Sequence, residues 1–264
     1  MLGTSWTEIV ALIAAFVISV VATPAGISGA VLLLPFQVSV LGTPSPAVTP
    51  TNLLYNVVAT PGAIYSYRRQ GQTGGQLTGL LVAGTLPGVI LGAIIRVELL
   101  PGAQVFDLLV GAVLTPLAVW IALSRPEARS VPHGHRIPPP VLVVLSGAVG
   151  CVGGIYGIGG GSILAPILIA SGRPPSEVAP AALASTFVTS VAGVITFMIL
   201  SVHQHAHVAP DWLTGIALGA GGLAGAYTGA RIQSRLPDLL LRRVLGILAV
   251  AIGIRYLLLG VSVA

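Results

Sequence analysis

The residues that could bind or react are few, and nearly all are neutral. Gly157-Ile158-Gly159-Gly160-Gly161-Ser162 forms a glycine cluster inside an apolar stretch, with Pro166 four residues further on. A degenerate copy stands upstream as Gly26-Ile27-Ser28-Gly29-Ala30, followed by Pro35. At a constant offset of 131 positions, Gly26 falls on Gly157, Ile27 on Ile158, Gly29 on Gly160 and Pro35 on Pro166. Glycine lets a bulky group approach the backbone. A helix that starts at such a turn presents unpaired N–H groups and a partial positive charge. Gly26, Ser28 and Gly29, with Gly157, Gly159, Gly160, Gly161 and Ser162, are therefore the candidate contacts for an anion, held by backbone amides and two hydroxyls rather than by charged side chains.

A second group of polar residues follows each turn. Thr51, Asn52 and Asn56 come after Pro50, and Ser185, Thr186 and Ser190 come after Pro180. Proline suits a first helical turn, where its missing N–H has no partner to lose, so helices are expected to start at Pro50 and Pro180. Asn52 and Asn56, four apart, share a helix face. The same residue types also serve as plain interhelical hydrogen-bond partners in any membrane bundle. What sets these apart is that they cluster beside the glycine turns in both halves.

Other chemistry is sparse. His203, His205 and His207 alternate before Asp211, a spacing that reads as a solvated loop rather than a metal site. Arg255 reads as a snorkelling interfacial residue and Asp107 as a structural ion-pair partner. Cys151 is the sole cysteine; it excludes an internal disulfide and reads as a small buried residue. The chain shows no nucleophile–base pair, phosphate-binding Walker loop or metal signature, so no enzyme, cofactor or metal is expected.

The elements that must position these residues follow from composition. Of 264 residues, 55% are hydrophobic and 7% charged, against about a quarter charged in a soluble domain. Apolar segments run over 8–22, 27–42, 50–67, 76–96, 104–124, 139–156, 158–172, 179–201, 211–231 and 238–260. A spanning helix needs about 20 apolar residues. The first, second and seventh segments fall short and flank the glycine turns, the sequence sign of discontinuous transporter helices. All twelve basic residues are arginines. Threading ten segments through a bilayer puts ten of them on one side and leaves Arg96 and Arg255 at the other, so the arginine-rich side is expected to be cytoplasmic and both termini extracytoplasmic. The net charge of +5 thus reads as a topology signal, not as nucleic-acid affinity.

Five segments per half make the second copy upside down relative to the first. The expected fold is an all-α polytopic membrane protein, an inverted repeat of 5+5 segments with short discontinuous helices at the two turns. Its parts are a first repeat over 1–124, a cytoplasmic linker over 125–138 and a second repeat over 139–264. Gly84, Gly88 and Gly92, and Gly221, Gly225 and Gly229, repeat at the spacing of four that lets membrane helices pack closely.

On these residues the chain resembles the sulfite exporter TauE/SafE family of bacterial membrane transporters. The resemblance rests on Gly157 to Ser162 with Pro166, on Gly26 to Gly29 with Pro35, on Thr51-Asn52-Leu53-Leu54-Tyr55-Asn56 and on Ala184-Ser185-Thr186-Phe187. It covers essentially the whole chain, with Ser28 and Ala30 standing where the fuller motif has glycines. It implies a secondary transporter that exports a small sulfur-containing anion, sulfite or an organosulfonate, across the cytoplasmic membrane. A passive anion channel and an importer of a related oxyanion are the alternatives. A coupling proton or ion and a homo-oligomeric assembly are compatible with the pattern.

Overall fold

The computed structural model describes residues 2–100, 137–171, 173–203 and 208–233. Within them the chain is all helical, with eight α-helices and no strand. The helices are α1 (Leu2–Ala22), α2 (Ala30–Ser39), α3 (Ser45–Arg69), α4 (Gly75–Glu98), α5 (Pro139–Tyr156), α6 (Gly160–Ala170), α7 (Pro175–His203) and α8 (Trp212–Ile232). A 3-10 turn over Thr23–Ala25 joins α1 to the first glycine turn. The fifth and tenth apolar segments, most of the linker, Asp107, Arg255, His205 and His207 lie outside the described residues.

Helices α1, α4, α5 and α7 are long and apolar enough to cross a membrane. The chain is a polytopic membrane protein. Helices α2 and α6 have 10 and 11 residues, which at 1.5 Å per residue is about half of a hydrocarbon core roughly 30 Å thick. They are the expected short helices. Helix α1, by contrast, is not short: it has 21 residues, because Ser5, Thr7 and Glu8, polar in composition, continue the helix.

Two helix starts differ from expectation. Helix α3 begins at Ser45 with a proline in its first turn, and Pro50 lies inside it. Helix α7 begins at Pro175 and holds Pro180 inside. A proline in the second turn forfeits only one backbone bond, to a carbonyl near the helix start, so both helices run through.

The long helices form two sets of three. In the first, α1, α3 and α8 run parallel. A Cβ on Gly221 or Gly225 would strike the carbonyl oxygens of Leu12 or Phe16, and one on Gly229 would lie 2.7 Å from that of Val20. Gly62 meets the Leu223 carbonyl in the same way. In the second set, α4, α5 and α7 run parallel: Gly84, Gly88 and Gly92 abut the carbonyls of Val143, Gly147 and Cys151, and Thr85 bonds Ser185 at 2.9 Å. The two seams correspond position by position. The glycines are offset by 137 (221 − 84, 225 − 88, 229 − 92) and the carbonyls that they meet by 131 (143 − 12, 147 − 16, 151 − 20). The small-residue spacing therefore does in both halves what it does in membrane bundles, bringing backbones into contact.

The two sets run in opposite directions. Ala63 and Tyr67, late in α3, share a cluster with Ala179 and Leu183, early in α7; Leu53 and Leu54, early in α3, share one with Val194 and Phe197, late in α7. This places Arg68, Arg69, Arg173 and Arg231 at one end of the bundle and Arg96 toward the other. At that second end Asp211 caps α8: its carboxylate accepts from the Thr214 amide at 3.1 Å and the Thr214 hydroxyl at 2.7 Å. Asp211→Ala should lower stability by about 1 kcal/mol, the usual worth of an N-cap, read as a shift in the denaturation midpoint of the purified protein.

Candidate functional site

Both glycine turns use the same backbone device. Gly26 has φ 74° and ψ 14°, and Gly157 has φ 73° and ψ 18°. This left-handed conformation ends the preceding helix at little steric cost only for glycine. Each turn then reverses into a short helix. The two turns enter the bundle from opposite ends of α3. Tyr67, near the C-terminus of α3, donates its hydroxyl to the Thr23 carbonyl at 3.1 Å. Thr49, near its N-terminus, donates to the Ile155 carbonyl at 3.1 Å.

They meet at the middle. The Ser28 amide donates to Ser162 Oγ at 3.1 Å, so the starts of α2 and α6 lie side by side. The positive ends of two helix dipoles converge there. Asn56, at the centre of α3, bridges them: its Oδ1 accepts from the Ser28 hydroxyl and its Nδ2 donates to the Gly157 carbonyl at 3.4 Å. Thr186 Oγ1 lies 3.5 Å from Ser162 Oγ. Ser28, Asn56, Ser162, Thr186 and Ser190 are all buried, and none of the five carries a charge.

The turns differ in how their amides are satisfied. Ser28 Oγ accepts from the Ala30 amide at 3.2 Å, and the Ser28 and Gly29 carbonyls take the amides of Val31, Leu32 and Leu33. The start of α2 is thus closed on itself. Helix α6 has Gly159 at its N-cap, which offers no side chain to cap with, so its first amides depend on other partners. Beside it stands Ser190, completely buried, whose hydroxyl has no hydrogen-bond partner among the described residues. Its Oγ is 3.4 Å from where a Gly159 Cβ would be. A buried hydroxyl left unpaired costs about 1–3 kcal/mol, and this one stands beside the start of α6.

The remaining sequence candidates fall around this centre. Gly29 packs on the Tyr55 and Ser19 hydroxyls, Gly160 on the Thr85 methyl, Gly161 on the Ala182 carbonyl and Gly26 on Ala165 and Ala179. These glycines set the close approach of the helices. Asn52 sits one turn away from Asn56, donating to the Ala30 carbonyl at 3.0 Å and accepting from Gln37 at 2.9 Å. It fixes the start of α2. Two candidates point elsewhere. Thr51 donates to the Ala47 carbonyl and accepts from the Asp211 amide at 2.9 Å, and Ser185 is bonded to Thr85.

Sequence reasoning missed four neighbours. Tyr55 and Ser19 bond at 2.7 Å behind Gly29. Thr85 backs Gly160, and Gln37 holds Asn52. Arg96 was placed at a membrane surface, yet its side chain is 1% exposed, donating to Thr49 Oγ1 at 3.4 Å and to the Leu100 carbonyl. The available signal was an arginine inside the apolar run of α4 rather than after it. Among the described residues, no cluster of three or more His, Cys, Asp or Glu could hold a metal.

The family profile described as "Sulfite exporter TauE/SafE" matches residues 11–256. The chain is similar to a "Probable membrane transporter protein YunE" of Bacillus subtilis, 28% identical over 49% of this chain and 45% of the relative. It is similar to a "Probable membrane transporter protein" of Xylella fastidiosa, 26% identical over 66% of this chain and 64% of the relative. An Arabidopsis thaliana protein, "Sulfite exporter TauE/SafE family protein 6", is 31% identical over 32% of this chain and 22% of its own length. The chain thus spans less than two thirds of these relatives. No solved structure matches significantly.

Proposed function

Because the chain belongs to the sulfite exporter TauE/SafE family, we propose that it is a secondary transporter carrying a small sulfur-containing anion, sulfite or an organosulfonate, out of the cell across the cytoplasmic membrane. The observation that carries the reading is the meeting of two helix starts at the bundle centre, with neutral donors around them and a buried hydroxyl that has no partner among the described residues. Amides at the start of α6, with Ser162, Thr186 and Ser190, hold the anion from one side; Ser28 and Asn56 close the other. Helix termini and hydroxyls suit a compact oxyanion, since they supply several donors without a fixed counter-charge that would hinder release. The second turn contributes the larger share, because the first already spends its donors on its own cap.

The two halves, 1–124 and 139–264 joined by 125–138, act as inverted repeats in this reading. Its supports are the matched seams, the opposite directions of the helix sets and the entry of the turns from opposite ends of α3. The arginine-rich end faces the cytoplasm and both termini face outward. Proteoliposomes loaded with sulfite provide the test. An imposed proton gradient should drive sulfite against its own gradient. Flux that only dissipates a sulfite gradient would instead mark a passive channel, and net flux in the opposite orientation an importer.

A further inference from the structure

A second site lies away from the glycine turns, at the arginine-rich end between α3 and α8. A cavity of about 210 Å³ is lined by Ser66, Arg69, Gln70, Tyr227 and Arg231. We propose that this cavity binds the phosphodiester headgroup of an anionic phospholipid. The inference does not rest on the transported substrate.

The lining supplies the chemistry. The lining brings Arg69 and Arg231 together with Tyr227, Ser66 and Gln70, and no carboxylate is among the described residues that line it. Neither arginine is in a salt bridge with a described carboxylate; the pair found among described residues joins Arg173 and Glu177. Guanidinium forks match phosphate oxygens in pairs.

Arg69 is ordered in advance. Arg69 lies over the Tyr65 ring, 5.5 Å from its centroid. Tyr65 stacks on Tyr227 at 6.3 Å and 28°, and Arg231 stands one turn beyond Tyr227. Gln70 stitches the helix ends together, donating to the Ala230 carbonyl at 3.1 Å and the Ser66 carbonyl at 3.2 Å. Tyr and Arg at a helix end are the pairing that anchors at the headgroup level of a bilayer.

The shape favours a lipid over a free ion. Toward the membrane centre the helices touch, with Gly62 against the Leu223 carbonyl, so the cavity is closed off from the glycine turns. Beside it Tyr65, stacked on Tyr227, and Leu223, one turn before Tyr227, are 55% and 42% exposed and offer an apolar flank. Leu223, Tyr227 and Arg231 lie on one helix face, four residues apart. A phosphate between the two arginines would thus continue into an acyl chain lying along Tyr65 and Leu223.

The test uses the purified full chain in detergent, titrated with phosphatidylglycerol or phosphatidylcholine and read by native mass spectrometry and thermal shift. Phosphatidylglycerol should be retained and should raise the melting temperature, while phosphatidylcholine should do neither. In R69Q/R231Q the affinity for phosphatidylglycerol should fall about 25-fold, roughly fivefold for each surface arginine that meets an anionic lipid. R69K/R231K, which keeps both charges, should lose less. Both arginines are exposed, so the lipid-free melting temperatures should stay close to that of the parent, and the lysine variant supplies the comparison if the glutamine variant does not fold. Unchanged phosphatidylglycerol affinity in R69Q/R231Q would overturn the proposal, as would equal retention of phosphatidylcholine. Stabilisation by millimolar inorganic phosphate, abolished in R69Q/R231Q, would reassign the cavity to a free oxyanion and overturn the lipid.

Discussion

Ser190→Ala should lower sulfite flux in proteoliposomes by about tenfold or more and leave the melting temperature unchanged or higher. The two effects have different sources. In the resting protein the hydroxyl is buried and has no partner among the described residues. Removing it relieves a desolvation penalty of about 1 kcal/mol or more. With an oxyanion bound at the start of α6, the same hydroxyl becomes a donor to a charged group, worth roughly 1.5–3 kcal/mol and so about 10- to 100-fold in affinity. A residue that merely packs α7 against α6 would move flux and stability together. Loss of flux with a matching loss of stability, or unchanged flux, would remove Ser190 from the site.

Gly88→Val and Gly225→Val should each reduce the yield of folded protein to traces. Each places a branched side chain against a backbone carbonyl of the neighbouring helix, that of Gly147 for Gly88 and that of Phe16 for Gly225. Neither carbonyl can yield as a flexible side chain would. The milder Gly88→Ala and Gly225→Ala should each cost about 1–3 kcal/mol as overpacking, and by similar amounts, since the two positions occupy matching seams. Gly79→Ala is the control. A Cβ there meets nothing within 4 Å, so replacing a helical glycine should be neutral or stabilising by up to about 1 kcal/mol. The comparison is read from denaturation of the purified variants. A large cost at one seam beside none at the other would break the correspondence of the halves.

What the sequence made legible was what glycine alone can do. The 131-residue offset found in the residues reappears as equal dihedrals at Gly26 and Gly157. The spacing-four glycines reappear as helix seams, because neither a left-handed turn nor backbone contact leaves room for a substitute. Helix starts were less legible. Pro50 and Pro180 looked like first-turn prolines, but a proline five residues later is nearly as well tolerated, and the local pattern does not separate the two. Direction was also hidden. Thr51 and Asn52 are adjacent, yet one serves the Asp211 loop and the other the start of α2; a helix turns about 100° per residue, and only packing decides which face looks inward. Arg96 was misread because distance along the chain to a helix end says little about depth when a neighbouring helix covers the side chain.

The grouping of helices by direction has a consequence for how the molecule comes apart. Helix α8 of the second half packs with α1 and α3 of the first, and α4 of the first packs with α5 and α7 of the second. The halves are interlaced, each lending one helix to the other's trio. A cut at the linker would therefore release no compact body. The two mixed trios meet along the α3–α7 face, where Leu53 and Leu54 lie with Val194 and Phe197, and Ala63 and Tyr67 with Ala179 and Leu183.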